Sequence, residues 1–169
     1  MKRARWIRGL GFGMLLGVYG CEAGMPMRVE CAFGPGAKYD ASDTTFDWSP
    51  EALASVADAR ARNPNLHDLI VELTESELVA KGYSRRTDGQ ADLFVGYGVY
   101  RRDTADPWTM EPLTEGTLGL TLNEPETGKL IYRGTATITV DESADPERRK
   151  ATLREAIRRI LEKYPARKT

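Results

Sequence analysis

The sequence predicts an α+β domain: a two-layer sandwich in which an antiparallel-rich sheet of about five strands carries two long helices packed on one face. Three observations lead there. Five short segments alternate apolar and polar residues, two longer segments repeat apolar residues at helical spacing, and their order is two strands, helix, three strands, helix. The chain has 169 residues, 41% hydrophobic and 29% charged, which suits one soluble domain with its own core and excludes an integral membrane bundle.

Ahead of the first strand, Lys2, Arg3, Arg5 and Arg8 precede the mostly apolar run Gly9 to Gly20, with no acid among them. That run falls short of the roughly 20 apolar residues a spanning helix needs and has the length and charge of an export signal over residues 1–20. Val18-Tyr19-Gly20-Cys21 resembles the bacterial lipobox, which predicts lipidation of Cys21 after cleavage. Ordinary secretion, with Cys21 free or disulfide-bonded, is the alternative. On the lipoprotein reading residues 21–26 are a tether, 27–165 a single domain and 166–169 a tail. The expected location is the periplasmic side of the cell envelope, held to the membrane through the lipid. Glu22 stands where Asp is associated with inner-membrane retention, so the outer membrane is favoured. Cleavage removes four basic groups and no acid, leaving 149 residues at net −5 in place of −1.

Met27, Val29, Cys31 and Phe33 alternate with Arg28, Glu30 and Ala32 and predict a half-buried strand. Cys31 then reads as a small inward hydrophobe, with a disulfide to Cys21 as the alternative that lipidation would forbid. Past the turn at Gly34-Pro35-Gly36, residues Thr44, Phe46 and Trp48 predict a second strand, and Ser49-Pro50 a short helix through Ala57. Asn63 and Pro64 open a long helix that carries Leu66, Leu69, Ile70 and Leu73 and ends at Lys81-Gly82. His67 is expected at the surface or an interface, because neighbours at i and i+1 such as Asp68 do not face each other on a helix. Three strands follow, carrying Leu93 to Val99, Leu118 to Leu122 and Tyr132 to Val140 on their apolar faces; Asn123 to Lys129 joins the last two. Thr117, Thr121, Thr135, Thr137 and Thr139 form the opposite, polar face. Asp145 and Pro146 open the closing helix, whose stripe runs from Leu153 through Ala156, Ile157, Ile160 and Leu161 to Tyr164, and Pro165 ends it.

Mechanistic motifs are lacking: no dinucleotide or phosphate-binding glycine loop, no nucleophile elbow and no paired-His zinc motif. No catalytic residue, cofactor or metal is expected, and two cysteines with one His cannot supply a four-ligand structural zinc site. Asp40, Asp43 and Asp47 read as a solvated acidic loop, since their spacing lacks the Gly and terminal Glu of a calcium loop. An enzyme built on them would require those acids to converge in a cleft. The overall charge excludes a nucleic-acid-coating protein. From Pro146 to Thr169 the net charge is +6 and from 21 to 145 it is −11, so Arg154 and Arg158 are candidates for contact with an anionic envelope surface, against the plainer reading of a solvated helix face. The stretch Arg101 to Thr114 reads as irregular. Within it Trp108 and Met110 are candidate partner-binding residues, or Trp108 folds back as a lid on its own sheet.

Thr45-Phe46-Asp47-Trp48, Lys81-Gly82-Tyr83, Ala91-Asp92-Leu93-Phe94-Val95-Gly96-Tyr97, Glu115-Gly116-Thr117-Leu118 and Lys129 to Ala136 resemble, in order, the signature of domain-of-unknown-function family 4136. Tyr132 stands where that family commonly has Trp. The resemblance implies a Gram-negative envelope lipoprotein fold and supplies no reaction, cofactor or catalytic residue. Arg133 is shared with the pattern; on the polar face it is a third candidate binding residue, placed to pair with Glu115 or to hold an anion. The functional expectation is a noncatalytic periplasmic module that binds an envelope protein or glycan, its oligomeric state left open. The alternative is a small-molecule or lipid carrier with a pocket between sheet and helices, lined by Tyr97, Leu120 and Ile157.

Overall fold

A computed structural model describes residues 27–37, 44–50 and 64–167. Cys21, Asp40, Asp43 and the helix expected through Ala57 lie outside the described residues. The elements are β1 (Met27–Phe33), β2 (Thr45–Trp48), α1 (Pro64–Ala80), β3 (Ser84–Arg85), β4 (Leu93–Ala105), β5 (Pro112–Asn123), β6 (Leu130–Thr139) and α2 (Pro146–Glu162).

They form one six-stranded sheet in the order β1-β6-β5-β4-β2-β3. The pairs β1/β6, β6/β5 and β5/β4 are antiparallel, whereas β2 runs parallel to both β4 and β3. The sheet is therefore mixed and has one strand more than the five expected. Its parallel pairing has a physical origin: a strand followed by a helix and a neighbouring strand is a crossover unit, and a crossover returns the chain in the same direction.

α1 ends as its sequence directs. Gly82 adopts φ +92, the Gly82 N–H donates to Val79 O at 2.9 Å and the Tyr83 N–H to Leu78 O at 3.0 Å, the paired bonds of a Schellman cap. α2 begins with Asp145 accepting from the Arg148 N–H at 2.8 Å, with Pro146 at the first helical position. Phe46, Trp48, Leu93, Val95, Leu118, Leu120 and Leu122 from the sheet and Ile70, Leu78, Ile157, Ile160 and Leu161 from the helices form one buried cluster.

At β6, α2 comes unusually close. A Cβ on Gly134 would lie 2.5 Å from Ile160 Cγ2, so the missing side chain is what lets helix and strand touch. Beside it, the Tyr132 hydroxyl donates to the Ile160 carbonyl, and the ring sits 5.2 Å from that of Tyr164. Burial, together with the neighbouring Cys31, pushes the Tyr132 phenol up. Cys31 is a half-buried free thiol 3.5 Å from the same carbonyl. The segment after α2 is tied to α1: the Arg167 N–H donates to Lys81 O at 2.9 Å and the Tyr83 hydroxyl to Pro165 O at 3.1 Å.

His67 departs from its expected surface position. It is 3% exposed, stacks on Tyr97 with 5.9 Å between ring centroids, and its Nδ1 shares a 2.9 Å hydrogen bond with the Tyr97 hydroxyl. The buried positions of α1 are His67, Ile70, Leu73, Thr74 and Leu78, so the inward stripe contains two polar residues that a purely apolar pattern passes over.

Candidate functional site

The residues expected to be irregular form a long hairpin. β4 and β5 pair in unbroken register from Phe94↔Asn123 to Ala105↔Pro112, while β6 stops pairing β5 at Thr139↔Glu115. Beyond Thr114, whose carbonyl accepts from the Val140 N–H at 2.7 Å, the hairpin extends as two strands without a third among the described residues. Its turn is tightly bonded: the Asp106 N–H donates to Glu111 O at 2.9 Å, the Met110 N–H to Asp106 O at 2.8 Å, and Asp106 Oδ1 accepts from the Trp108 and Thr109 N–H groups, each at 2.8 Å. Those amides, Thr109 first and then Trp108, hold the Asp106 carboxyl below the usual carboxylate range. Met110 takes φ +60, a left-handed conformation costly for a residue with a side chain. Trp108 is 91% exposed and Met110 73%. The lid alternative for Trp108 is thereby overturned: the hairpin carries it away from the sheet.

An apolar cleft of about 580 Å³ opens where the first turns of both helices meet the inner face of β4, β5 and β6. Leu66 and Leu69 of α1, Val99, Leu118 and Ile138 of the sheet and Leu153 of α2 line it. That volume lies within the roughly 300–1,000 Å³ typical of ligand pockets. Tyr97, Leu120 and Ile157, expected to line a pocket, do not line this cleft: Leu120 is 1% and Ile157 0% exposed, and the Tyr97 hydroxyl bonds His67. The cleft sits farther along the sheet, toward the helix N-termini. On its rim Arg101 pairs with Glu142, and the Arg149 guanidinium donates to the Glu142 backbone carbonyl at 2.7 Å. No carboxylate pairs with Arg149 among the described residues.

Arg133 lies on the outer face, exposed, with Thr121 and Ala32 as its cross-strand neighbours. It does not meet Glu115, whose carboxylate binds the Arg102 guanidinium at 2.6 Å. Thr121 is nine residues along β5 from Pro112, about 30 Å at strand rise, so Arg133 and the hairpin tip are separate places. Between them is a shallow polar depression of about 340 Å³, bordered by Tyr100, Arg102 and the bonded pair Thr117 and Thr137, 2.9 Å apart.

Arg154 and Arg158 both lie on the exposed side of α2. Arg158 is committed to Glu155 through bonds of 2.8 and 2.9 Å, and Arg159 joins at 2.6 Å. These two arginines, Arg158 first, lower the Glu155 carboxyl to about 2. Arg154 makes no ion pair among the described residues. Asp47, the one described member of the acidic trio, accepts from the Trp48 N–H at 2.9 Å and approaches Arg85 at 3.9 Å, a structural use of its charge. Glu75 in turn holds Arg85 at 2.6 Å and the Trp48 indole N–H at 2.9 Å. Among the described residues no three metal-ligating side chains converge, and no helix is long and apolar enough to cross a membrane.

Sequence reasoning missed the cleft, Arg149 and Tyr100.

No curated protein matches the chain. Solved structures that share its fold include the PelC dodecamer from Paraburkholderia phytofirmans, with a TM-score of 0.53 at 12% identity over 85% of this chain and 100% of that one, and a PDZ domain protein from Parabacteroides distasonis, with 0.52 at 14% over 86% of this chain. The second likeness covers 38% of a longer chain. A family model described as "Domain of unknown function (DUF4136)" matches residues 33–166, which include β2, both helices, the hairpin and the cleft, and the chain belongs to that family.

Proposed function

We propose that this chain is a noncatalytic interaction module, anchored by a lipid on Cys21 to the periplasmic side of the envelope, with the outer membrane favoured. On this reading it engages an envelope protein through the tip of the β4–β5 hairpin. One observation carries the binding role: a Trp 91% exposed and a Met 73% exposed on a turn whose backbone is fixed by Asp106. A rigid turn that displays an aromatic side chain has little ordering entropy left to lose on binding. The Paraburkholderia protein of similar fold is described as a dodecamer, and other copies of this chain are one partner to test.

The lipid rests on the sequence of residues 18–21, and mass spectrometry of the mature N-terminus tests it; an unmodified Cys21 would remove the anchor. For the tip, a photo-crosslinking residue at position 108 in intact envelopes should give a discrete protein adduct, lost when Met110 becomes Asp. A diffuse smear indifferent to Met110 would refute the binding role. The surface-contact reading of α2 rests on Arg154, since Arg158 is already neutralised by Glu155. Arg154→Glu should weaken binding to anionic liposomes more than Arg158→Glu.

The cleft favours a second reading, a carrier for a small molecule or lipid. Native mass spectrometry of the purified protein tests it: a co-purifying apolar ligand displaced by Leu69→Trp would support it.

A further inference from the structure

We infer that the hairpin tip of one copy of this chain inserts Trp108 and Met110 into the apolar cleft of a second copy. The inference rests on the binding role of the tip proposed above, and it names both the partner and the receiving surface.

The two surfaces are complementary in shape and chemistry. Trp108 and Met110 form an exposed apolar knob, and Leu66, Leu69, Val99 and Leu153 help to line an apolar cleft of about 580 Å³. An indole with a thioether is smaller than the drug-sized ligands that fill clefts of this volume. Each surface also carries a charge, of opposite sign, that pairs with no opposite charge among the described residues: Glu111, exposed next to Met110, and Arg149 on the cleft rim, whose guanidinium donates to the Glu142 backbone carbonyl at 2.7 Å. From Asp103 to Pro112 the tip contains three acids and no base. Docking therefore brings the Glu111 carboxylate to the Arg149 guanidinium at the edge of an apolar contact, where both are partly screened from water.

A chain cannot satisfy its own cleft. Arg101 is the cleft-lining residue of β4 nearest the tip, and the turn begins five residues farther along at Asp106, about 16 Å at strand rise, so the paired strands carry Trp108 away from the cleft of its own chain. Only another molecule can bring the two together. Because knob and cleft are different patches, the contact is heterologous: it propagates from copy to copy until a ring closes, or closes at once as a pair when both tips reach across. The surfaces involved are small, the hairpin beyond Thr114 against the lining of one cleft. Such contacts fall at the weak, concentration-dependent end of interfaces, and anchoring on a common surface would raise the local concentration.

The experiment uses the full mature chain in detergent, followed by sedimentation velocity over a hundredfold range of concentration. The wild type should self-associate, and tryptophan emission should shift to the blue as Trp108 leaves water. Trp108→Ala removes the knob and Val99→Lys charges the cleft wall at a position already 47% exposed, so the fold is retained. Each variant alone should associate at least tenfold more weakly. Mixed together, the two variants retain one intact tip and one intact cleft, and should form a heterodimer and nothing larger. Glu111→Arg and Arg149→Glu should each weaken association and should restore it in the mixture. A wild type that stays monomeric throughout, or variants whose mixture does not pair, would overturn the inference. The crosslink at position 108 separates the two readings: an adduct to another protein rejects the second copy and keeps the binding role, whereas no discrete adduct rejects both.

Discussion

Replacing Gly134 with Ala should destabilise the domain, although the same change in an open strand position would help. The added Cβ falls 2.5 Å from Ile160 Cγ2 and 3.3 Å from Cys31 Sγ. Carbon atoms sit comfortably at about 3.5–4.0 Å, so something must retreat by about 1–1.5 Å. Ile160 has little room to do so. It is fully buried, and its carbonyl is held by the Tyr132 hydroxyl and the Cys31 thiol, which fixes the helix where the clash occurs. Overpacking of this kind costs about 1–3 kcal/mol, against a gain of about 0.5–1 kcal/mol from replacing a strand glycine. The net loss lies in the range of about 0–2.5 kcal/mol and centres near about 1 kcal/mol, a fall in Tm of about 2–4 °C for a domain of this size. Urea unfolding followed by circular dichroism measures it, with Gly119→Ala as the control: there the nearest atom is 3.7 Å away, and stability should rise by about 0.5–1 kcal/mol. Ile160→Ala alone should cost about 2–5 kcal/mol, yet combined with Gly134→Ala it should cost at least about 1 kcal/mol less than the two losses added together. Equal stability of the Gly134 and Gly119 variants, or simple additivity of the double change, would show that helix and strand are not in forced contact.

Asp92 clamps the start of β2: its Oδ2 accepts from the Thr44 and Thr45 N–H groups at 2.8 Å each and from both hydroxyls. Burial raises its carboxyl, but these four bonds outweigh it and hold the group below its ordinary value. Asp92→Asn should cost about 1 kcal/mol near neutral pH, discounted for exposure. A depressed folded value means the contribution is present above about 3.9 and lost as pH falls through the folded value, so wild type and variant should converge in acid unfolding. Glu155 should titrate near about 2 by carbon-detected NMR, and Arg158→Ala should move that midpoint upward more than Arg159→Ala does. Trp48→Phe keeps the buried ring but removes the indole N–H bond to Glu75, and urea unfolding should register about 0.5–1.5 kcal/mol. Asp106→Ala should speed amide exchange at Trp108 and Thr109 while leaving the circular dichroism spectrum unchanged; slow exchange in the variant would show that the carboxylate does not hold the turn.

The core was legible because period and punctuation agree. Every apolar residue assigned to the inner face of β5 is buried, α2 begins at Asp145 and Pro146 as expected, and α1 ends on the predicted glycine. Order of elements was legible but direction was not. A helix between β2 and β4 implies a crossover, and weighing that consequence would have given the parallel pairing. His67 was misplaced because hydrophobic period treats His and Thr as outward residues, while His67 bonds Tyr97 and so enters the core with a partner.

The exposed tip of the candidate site was less legible for a different reason: it depends on differences between strands rather than on any strand alone. β4 and β5 have 13 and 12 residues and β6 has 10, and β6 leaves β5 at Glu115. That difference sets how far the hairpin stands clear, hence that Trp108 is solvent-exposed and not a lid. At the base of the hairpin, where β6 still pairs β5, the apolar cleft beside Val99 and Leu118 is bounded by Leu66, Leu69 and Leu153 of the helices. The mismatch in strand length accounts for the exposed tip and not for the cleft. Shortening the hairpin by a matched pair of residues, Thr104 with Leu113, should therefore draw the tip back while leaving the cleft and the core in place. Association should fall as it does for Trp108→Ala, with an unfolding midpoint within about 0.5 kcal/mol of the wild type. If the shortened chain associated as well as the wild type, reach would not be what the long hairpin supplies.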